Sequence, residues 1–229
     1  MRDIARRLFS LLPQSIRWRF DRRQFRKVVK ASYPLADRYL AGLRGAEIGA
    51  AAHNHFVDAI NIDRPNPDPA YVEDQRRLAG HAARIDLYAF GDDLPFKDKS
   101  IDFVLSSHVI EHFFDPIRAL LEWERVSKRY VFIVVPHHER TADFGRPLTT
   151  FEELLERHAV PTDVRKAKEA SSEATHWSVW DCETFVELCT RIGLDVVETE
   201  DPDTKVGNGF TVVIRTDPER PVVFDGSRG

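Results

Sequence analysis

Short apolar runs alternate with amphipathic stretches along most of the chain from residue 44 onward. Runs rich in Val, Ile and Phe predict β-strands over residues 45–49, 58–63, 85–90, 101–107, 130–136, 194–200 and 209–216. A helical period of apolar residues predicts α-helices over residues 70–80, 115–128, 150–159 and 181–192. Strands that alternate with helices are typical of a parallel sheet whose strands are joined by crossover helices.

The order of these elements predicts an α/β domain built on a doubly wound, Rossmann-like sheet. No helix separates the last two predicted strands, so we expect a seven-stranded, mostly parallel sheet with a C-terminal antiparallel hairpin. The main domain is expected over residues 44–217, after a helical N-terminal arm or lid (1–43) and before a C-terminal tail (218–229). Residues 137–180 are too long for an ordinary connection, and we expect this inserted segment to shape a binding site.

Charge is distributed unevenly along the chain. The first 30 residues hold ten Lys/Arg against Asp3 and Asp21, a net charge of +8, so the remainder carries −12 for −4 overall. Apolar residues such as Trp18 lie among these arginines. The arm is therefore interpreted as a lid packed on the domain or as a helix that contacts a membrane surface. Pro13 interrupts the amphipathic stripe and favours the lid.

The overall composition narrows the classes of protein. The 229 residues are 42% hydrophobic, and no apolar run approaches the ~20 residues that cross a bilayer. Cys182 and Cys189 fall in one predicted helix, too far apart for a disulfide, which favours a cytoplasmic, reducing location. The net negative charge argues against a nucleic-acid partner. We expect a small-molecule ligand, and a homodimer is one candidate assembly.

Polar residues follow the predicted strands at their carboxyl ends, where open α/β sheets bind ligands. Glu47 and Gly49 end the first strand and Asp63 ends the second. The other such positions are Asp92 and Asp93 after the third strand, Ser106 and His108 at the fourth, and His137, His138 and Glu139 after the fifth. Because these ends meet at one edge of the sheet, we expect one shared site there.

Residues 91–137 carry a distinctive ordered pattern, GDDLPFKDKSIDFVLSSHVIEHFFDPIRALLEWERVSKRYVFIVVPH. It combines an acid before Leu-Pro-Phe, a strand beginning Asp-Phe-Val, a Glu-His pair, a Glu-x-x-Arg-Val helix and a strand ending in Pro. This string resembles the class I S-adenosylmethionine-dependent methyltransferases, and the resemblance covers about residues 45–136. It implies a Rossmann-like fold and S-adenosylmethionine as cofactor.

The resemblance assigns cofactor-binding roles to particular residues. The methionine part is expected near Glu47, Gly49, Ala50 and Asn54; the ribose on Asp63; the adenine amine on Asp92, with Asp93 as the alternative; and the sulfonium end near Ser106 and His108. Ala51 stands where the family usually has a second glycine, and it is the smallest side chain that keeps the backbone approachable. A zwitterionic methionine needs a glycine-lined anion cradle less than a pyrophosphate does, which argues against a nicotinamide cofactor.

The chemistry of transfer is expected on the acceptor side of the site. A hydroxyl acceptor must lose its proton, and histidine is a suitable base near neutral pH. His137 and His138 are the predicted bases, with Glu139 orienting them. The predicted substrate contacts are Arg140, Asp143, His176 and Trp177; for Arg140 and Asp143, loop salt bridges are the alternative.

A divalent metal is a further prediction. His108, Glu111 and His112 have i, i+3, i+4 spacing, which places them on one helical face, and His137 is expected to converge on them. Some O-methyltransferases resemble this arrangement, which implies an ion such as Mg²⁺ that activates the acceptor hydroxyl. The alternative is a Glu-His pair that only supports the start of a helix.

The combined prediction is an O-methyltransferase that acts on a hydroxyl of a small polar acceptor, a sugar or oligosaccharide such as a mannoside. The sugar preference follows from resemblance in the polar segment after residue 136. The alternatives are a quinone or polyketide O-methyltransferase, a non-catalytic binding module with the same fold, and a nucleic-acid methyltransferase.

Overall fold

The computed structural model describes residues 33–52, 56, 59–67, 69–170, 176–219, 222, 224 and 226. The basic part of the predicted N-terminal arm, residues 1–32, lies outside the described residues. The predicted cofactor residue Asn54 also lies outside them.

The described elements follow the predicted order closely. The strands are β1 (Gly45–Ile48), β2 (Ile60–Asp63), β3 (Leu87–Tyr88), β4 (Ile101–Ser107), β5 (Ser127–Pro136), β6 (Asp195–Glu200) and β7 (Gly209–Arg215). The helices are α1 (Pro34–Leu40), α2 (Pro69–Ala79), α3 (Pro116–Val126), α4 (Phe151–His158), α5 (Thr162–Ala170) and α6 (Cys182–Arg191), with a 3₁₀ turn at Ile110–His112. None of these described helices is both long and apolar enough to cross a membrane.

The seven strands form one sheet in the order β3-β2-β1-β4-β5-β7-β6. Strands β1 to β5 pair in parallel, whereas β7 pairs antiparallel with both β5 and β6. The predicted fold class, with its C-terminal hairpin, is therefore confirmed. Because β5 and β6 are both antiparallel to β7, they run in the same direction. The β6–β7 loop consequently lies at the same edge as the carboxyl ends of the parallel strands.

The sheet is buried on both faces, which explains its long apolar runs. On one face Val104, Ile133 and Val212 belong to a core shared with α3, α4 and α6. On the other face Phe103, Phe132 and Val213 pack with Tyr33 and α1. This two-sided burial fixes the strands and holds their carboxyl ends in one row.

Two helices differ informatively from the prediction. Helix α3 ends at Val126 rather than at residue 128, because Ser127 already pairs with Ile101 in the sheet. Helix α5 was not predicted, and it lies inside the inserted segment. Its Arg165 is only 2% exposed, and this buried cation helps to tie α5 to the body. The predicted N-cap of α6, Asp181, is confirmed by a capping box with Thr184.

Candidate active site

A cavity of about 310 Å³ opens at the carboxyl ends of β1, β2 and β3. It is lined by Ile48, Gly49, Asp63, Arg64, Pro65, Asn66, Ala89, Phe90, Gly91, Asp92, Val109, His112 and Phe113. The lining includes four residues to which the sequence assigned a role: Gly49, Asp63, Asp92 and His112. The ligand edge inferred from the strand ends is thus a real concavity.

The β1 loop is built tightly under this cavity. Gly49 has φ of +67°, and a Cβ at this position would lie 2.5 Å from Val109 Cγ2, so the turn requires glycine. Ala50 and Ala51 follow and are buried. The Ala52 N–H donates to Gln75 Oε1 at 2.9 Å, which fixes the end of the loop to α2. The single glycine is sufficient for the turn, and alanine fits the positions after it.

Asp63 closes β2 at the rim of the cavity. Its Oδ1 accepts the N–H of Arg64 at 2.8 Å. The carboxylate therefore lies at a strand end and on the wall of the cavity, as predicted. Its contact with ribose hydroxyls stays a prediction.

Asp92 lines the cavity but is also engaged by arginines. It is 3% exposed, and its Oδ2 lies 3.2 Å from Arg165 Nη2 and 3.5 Å from Arg118 Nε. Arg165 Nη1 also donates to Asp115 Oδ2 at 3.2 Å. The predicted adenine ligand therefore has a second role, which is to anchor α5 of the inserted segment. The alternative Asp93 is exposed.

Beside the cavity, Glu111, His112 and His176 come together. One ligand atom from each of the three lies within 4.8 Å of the others. We call these residues the His–Glu cluster. Glu111 is 1% exposed, and burial raises its pKa to about 8, so the carboxyl group is mostly protonated at neutral pH. Because His112 also lines the cavity, the cluster adjoins the pocket expected to bind the cofactor.

His176 is held in place by Asp143. His176 Nδ1 lies 2.6 Å from Asp143 Oδ2, and Arg146 Nη1 donates to Asp143 Oδ1 at 2.5 Å. Burial alone would raise the pKa of Asp143, but the hydrogen bonds from His176 and Arg146 outweigh it and lower the pKa. Asp143 is thus an ionised acceptor that fixes one side of the imidazole. The Trp177 N–H donates to Glu111 O at 2.8 Å and joins this segment to the 3₁₀ turn.

His108 borders the cluster from the end of β4. Its φ is +55°, an uncommon value for a residue with a side chain, and its N–H donates to Val134 O at 2.9 Å. Its Nδ1 lies 4.0 Å from Glu111 Oε1. Burial lowers the pKa of His108 to about 4, so its ring is neutral at pH 7. Ser106, predicted beside it, is fully buried.

The metal group differs in composition from the predicted one. Among the described residues the cluster contains His176 where the sequence suggested His137. His137 instead accepts the N–H of Glu139 on Nδ1 at 3.1 Å, and its ring packs against Phe210 at 6.2 Å between centroids. Burial lowers the pKa of His137. Its backbone pairs with Trp180, which directs this turn toward α6 rather than toward Glu111.

The remaining residues that the sequence predicted as bases or substrate contacts make contacts mainly within the loops. The His138 ring lies 5.2 Å from the His137 ring, and Glu139 is exposed. Arg140 forms an ion pair with Asp201 and donates to Gly209 O at 2.9 Å, which is the loop role weighed for it. Trp177 packs edge-on against Phe114 at 5.1 Å. None of the contacts described for these four side chains reaches the His–Glu cluster through a side-chain group.

Lys205 is a buried residue near this edge to which the sequence analysis assigned no role. It lies in the β6–β7 loop, it is 6% exposed, and its Nζ is 3.8 Å from Glu47 Oε1. Glu47 is also buried, at 3% exposure, at the end of β1. The residues around Lys205 in this loop are mostly polar, so nothing in the local sequence predicts that this lysine is buried. Only the parallel direction of β5 and β6 indicates that this loop reaches the ligand edge.

Comparison with known proteins agrees with this geometry. Residues 44–135 match the family model Methyltransf_11, described as a methyltransferase domain. An uncharacterized protein of Methanocaldococcus jannaschii is 28% identical over 122 residues, which is 52% of this chain and 56% of that protein. The chain thus spans only about half the length of this curated relative.

Two solved structures share the fold. A SAM-dependent methyltransferase from Thermotoga maritima superposes with a TM-score of 0.52 at 21% identity, over 89% of this chain and 95% of its own. One from Methanosarcina mazei gives 0.50 at 16% identity, over 82% and 99%. Residues 44–135 thus match the model of a methyltransferase domain, and the chain shares the fold of these S-adenosylmethionine-dependent methyltransferases.

Proposed function

We propose that the protein transfers the methyl group of S-adenosylmethionine to a hydroxyl of a small polar acceptor, with a sugar such as a mannoside as the acceptor class. One observation carries the proposal: a buried carboxyl group and two partly exposed imidazoles adjoin the cavity through His112. Such a group offers a proton acceptor and hydrogen-bonding partners for an acceptor that binds beside the cavity.

The proton acceptor in this proposal is His176. An ionised Asp143 that accepts the Nδ1 proton leaves the lone pair of His176 on Nε2, which is the arrangement of a general base held by an orienting carboxylate. Glu111 is mostly protonated at neutral pH and is able to donate a hydrogen bond to an acceptor oxygen. This assignment replaces the predicted bases His137 and His138, whose turn packs toward α6.

The polarity of the His–Glu cluster supports a polar acceptor. Its imidazole and carboxyl groups pair well with sugar hydroxyls. A quinone or polyketide acceptor would be matched better by a wall of apolar side chains. Transfer from a sulfonium is an in-line displacement at carbon, so the protein acts mainly by aligning the oxygen and excluding water.

A divalent ion remains a separate prediction for the His–Glu cluster. Two imidazoles and one carboxylate form a donor set that borderline ions such as Zn²⁺ prefer, whereas Mg²⁺ prefers oxygen ligands. A bound ion would lower the pKa of an acceptor hydroxyl. We expect removal by EDTA, followed by return of Zn²⁺ or Mg²⁺ with methyl transfer as the readout, to decide between them. If EDTA does not change the rate of methyl transfer, the prediction of a bound metal ion is wrong.

The acceptor class is tested with a methyl donor that carries a labelled methyl group. The protein is incubated with mannosides, glucosides and catechols, with and without Mg²⁺, and the products are separated and counted. The proposal expects label on a sugar hydroxyl, and expects His176→Asn to abolish that label. Label on catechols alone would overturn the sugar acceptor, and label on no hydroxyl of any class would overturn O-methylation.

A further inference from the structure

We propose that Lys205 binds the α-carboxylate of the cofactor's methionine moiety, while Glu47 binds its α-ammonium group. The inference adds a cofactor-binding residue from the β6–β7 loop, outside residues 44–135. It rests on the proposed use of S-adenosylmethionine, and the experiment below separates failure of this inference from failure of that proposal.

The first argument is the burial of a lysine without a close partner. The Lys205 side chain is 5% exposed, and its Nζ makes no hydrogen bond to the part of the chain that the structure describes. The Glu47 carboxylate lies 3.8 Å away, beyond hydrogen-bond distance. Burial lowers the pKa of Lys205, and the nearby Glu47 and Asp203 oppose that shift. A buried ammonium in this state favours an anionic ligand that offers it direct hydrogen bonds.

The second argument is that the loop is constructed to hold Lys205 at this place. Asp203 is 2% exposed and accepts three backbone N–H groups, from Val206 at 2.5 Å, Gly207 at 3.1 Å and Gly209 at 2.8 Å. Its own N–H donates to Gly209 O at 3.0 Å. The Asp203 carboxylate is therefore occupied in fixing the loop, and it does not form a direct ion pair with Lys205.

The third argument is the position of the pair. Glu47 directly precedes the turn at Gly49, which lines the cofactor cavity. Lys205 also acts electrostatically on His108, at the end of the neighbouring β4. The pair therefore lies near the ends of β1 and β4, next to the turn that lines the cavity. We expect a cofactor bound in the cavity to extend its amino-acid part toward this pair.

The chemistry of the ligand matches the pair. The methionine moiety is a zwitterion, with one ammonium and one carboxylate on the same carbon. A glutamate and a lysine 3.8 Å apart offer one complement for each charge. Binding exchanges one loose ion pair for two closer ones, so no uncompensated buried charge is created.

The experiment compares three ligands by isothermal titration calorimetry. S-adenosylhomocysteine carries the whole zwitterion, its decarboxylated analogue lacks only the carboxylate, and 5′-methylthioadenosine lacks the amino-acid group altogether. For the wild type we expect removal of the carboxylate to weaken binding about 10- to 100-fold, as for loss of a charge-assisted hydrogen bond. Lys205→Met should weaken the binding of S-adenosylhomocysteine by a similar factor and leave the affinities for the other two ligands unchanged.

Two further variants make the result specific. Lys205→Arg keeps the charge and should retain most of the affinity for S-adenosylhomocysteine. Lys128→Met removes an exposed lysine at the opposite end of β5 and should bind all three ligands like the wild type.

Each alternative result has a defined meaning. Equal binding of S-adenosylhomocysteine and its decarboxylated analogue by the wild type would overturn the proposal without any variant, even if Lys205→Met does not fold. Uniform weakening of all three ligands in Lys205→Met would make Lys205 a structural residue. Unchanged cofactor binding with a raised KM for the acceptor would assign Lys205 to the acceptor instead. No binding of S-adenosylhomocysteine by the wild type would contradict the cofactor dependence itself.

Discussion

The proposed cofactor side and the proposed acceptor side of this site are built in different ways. On the cofactor side, Gly49 directly follows β1, Asp63 ends β2 and Asp92 lies in the loop after β3, so the parallel sheet brings them to one edge. His176, on the acceptor side, comes from a connection far along the chain, and so does Lys205, which is proposed to bind the cofactor. The comparison shows that residues at strand ends reach the ligand edge through the sheet itself. Residues that arrive from loops require buried polar groups such as Asp143 and Asp203.

The largest expected effect tests the acceptor side alone. His176→Asn removes the proposed base, and we expect turnover to fall about 100- to 10,000-fold, the range for loss of general-base catalysis. Binding of S-adenosylhomocysteine should stay within a factor of about two of the wild type, because the cofactor groups are untouched. Labelled methyl transfer and calorimetry measure the two quantities. Turnover equal to that of the wild type would show that the base lies elsewhere.

The second prediction concerns the contact that joins the two sides. Arg165→Met removes the guanidinium that both Asp92 and Asp115 face, and we expect the free energy of unfolding to fall by about 3–5 kcal/mol, as when a buried ion pair loses one partner. Urea denaturation followed by circular dichroism measures this. Arg129→Met, at an exposed position on β5, is the matched control and should be close to neutral. A similar small change in both variants would mean that α5 is not anchored through Arg165.

The third prediction tests the cofactor side alone. Asp63→Asn keeps the shape of the side chain and removes its charge, so we expect S-adenosylhomocysteine to bind about 10-fold more weakly, because the hydrogen bonds from the ribose are no longer charge-assisted. Asp74→Asn, on the exposed surface of α2, is the control. Calorimetry measures both affinities. If the two variants bind S-adenosylhomocysteine equally well, Asp63 does not bind the ribose.

The last prediction is a pH dependence of stability, which is the most gradual of these effects because it is spread over several pH units. The folded pKa of Glu111, about 8, lies above its ordinary value, so its contribution to stability is complete below pH 4.5 and is lost as the pH rises toward 8. The slope is at most about 1.4 kcal/mol per pH unit. His108, with a lowered pKa of about 4, has the opposite sign and loses its contribution as the pH falls from 6.5 to 4.

Glu111→Gln separates these two contributions. Above pH 6.5 the unfolding free energy of the wild type should fall with increasing pH, whereas that of the variant should change less over the same range. Urea denaturation at several pH values measures both slopes. Parallel profiles for the two proteins would mean that Glu111 titrates normally in the folded state.

The sequence predicted the sheet and the polar residues at its strand ends well because both depend on local patterns. Alternating elements and polar strand ends are readable along the chain, and they led to the strand set, the hairpin and the positions of Gly49 and Asp63. Helix α5 was not predicted because its sequence is mostly polar, and Arg165, which is buried, has no apolar signature. That His176 rather than His137 joins Glu111 and His112 depends on the direction of the turn after β5, which sequence spacing does not encode.

Strand β7 has a consequence for how the ligand edge can change. By running against both of its neighbours, it returns β6 to the direction of β5 and brings a short hairpin to that edge where a helical crossover would otherwise stand. A hairpin tip can lengthen, shorten or exchange side chains without repacking a helix against the core. The β6–β7 loop at the ligand edge is therefore open to redesign, and it offers a practical place to alter ligand binding there.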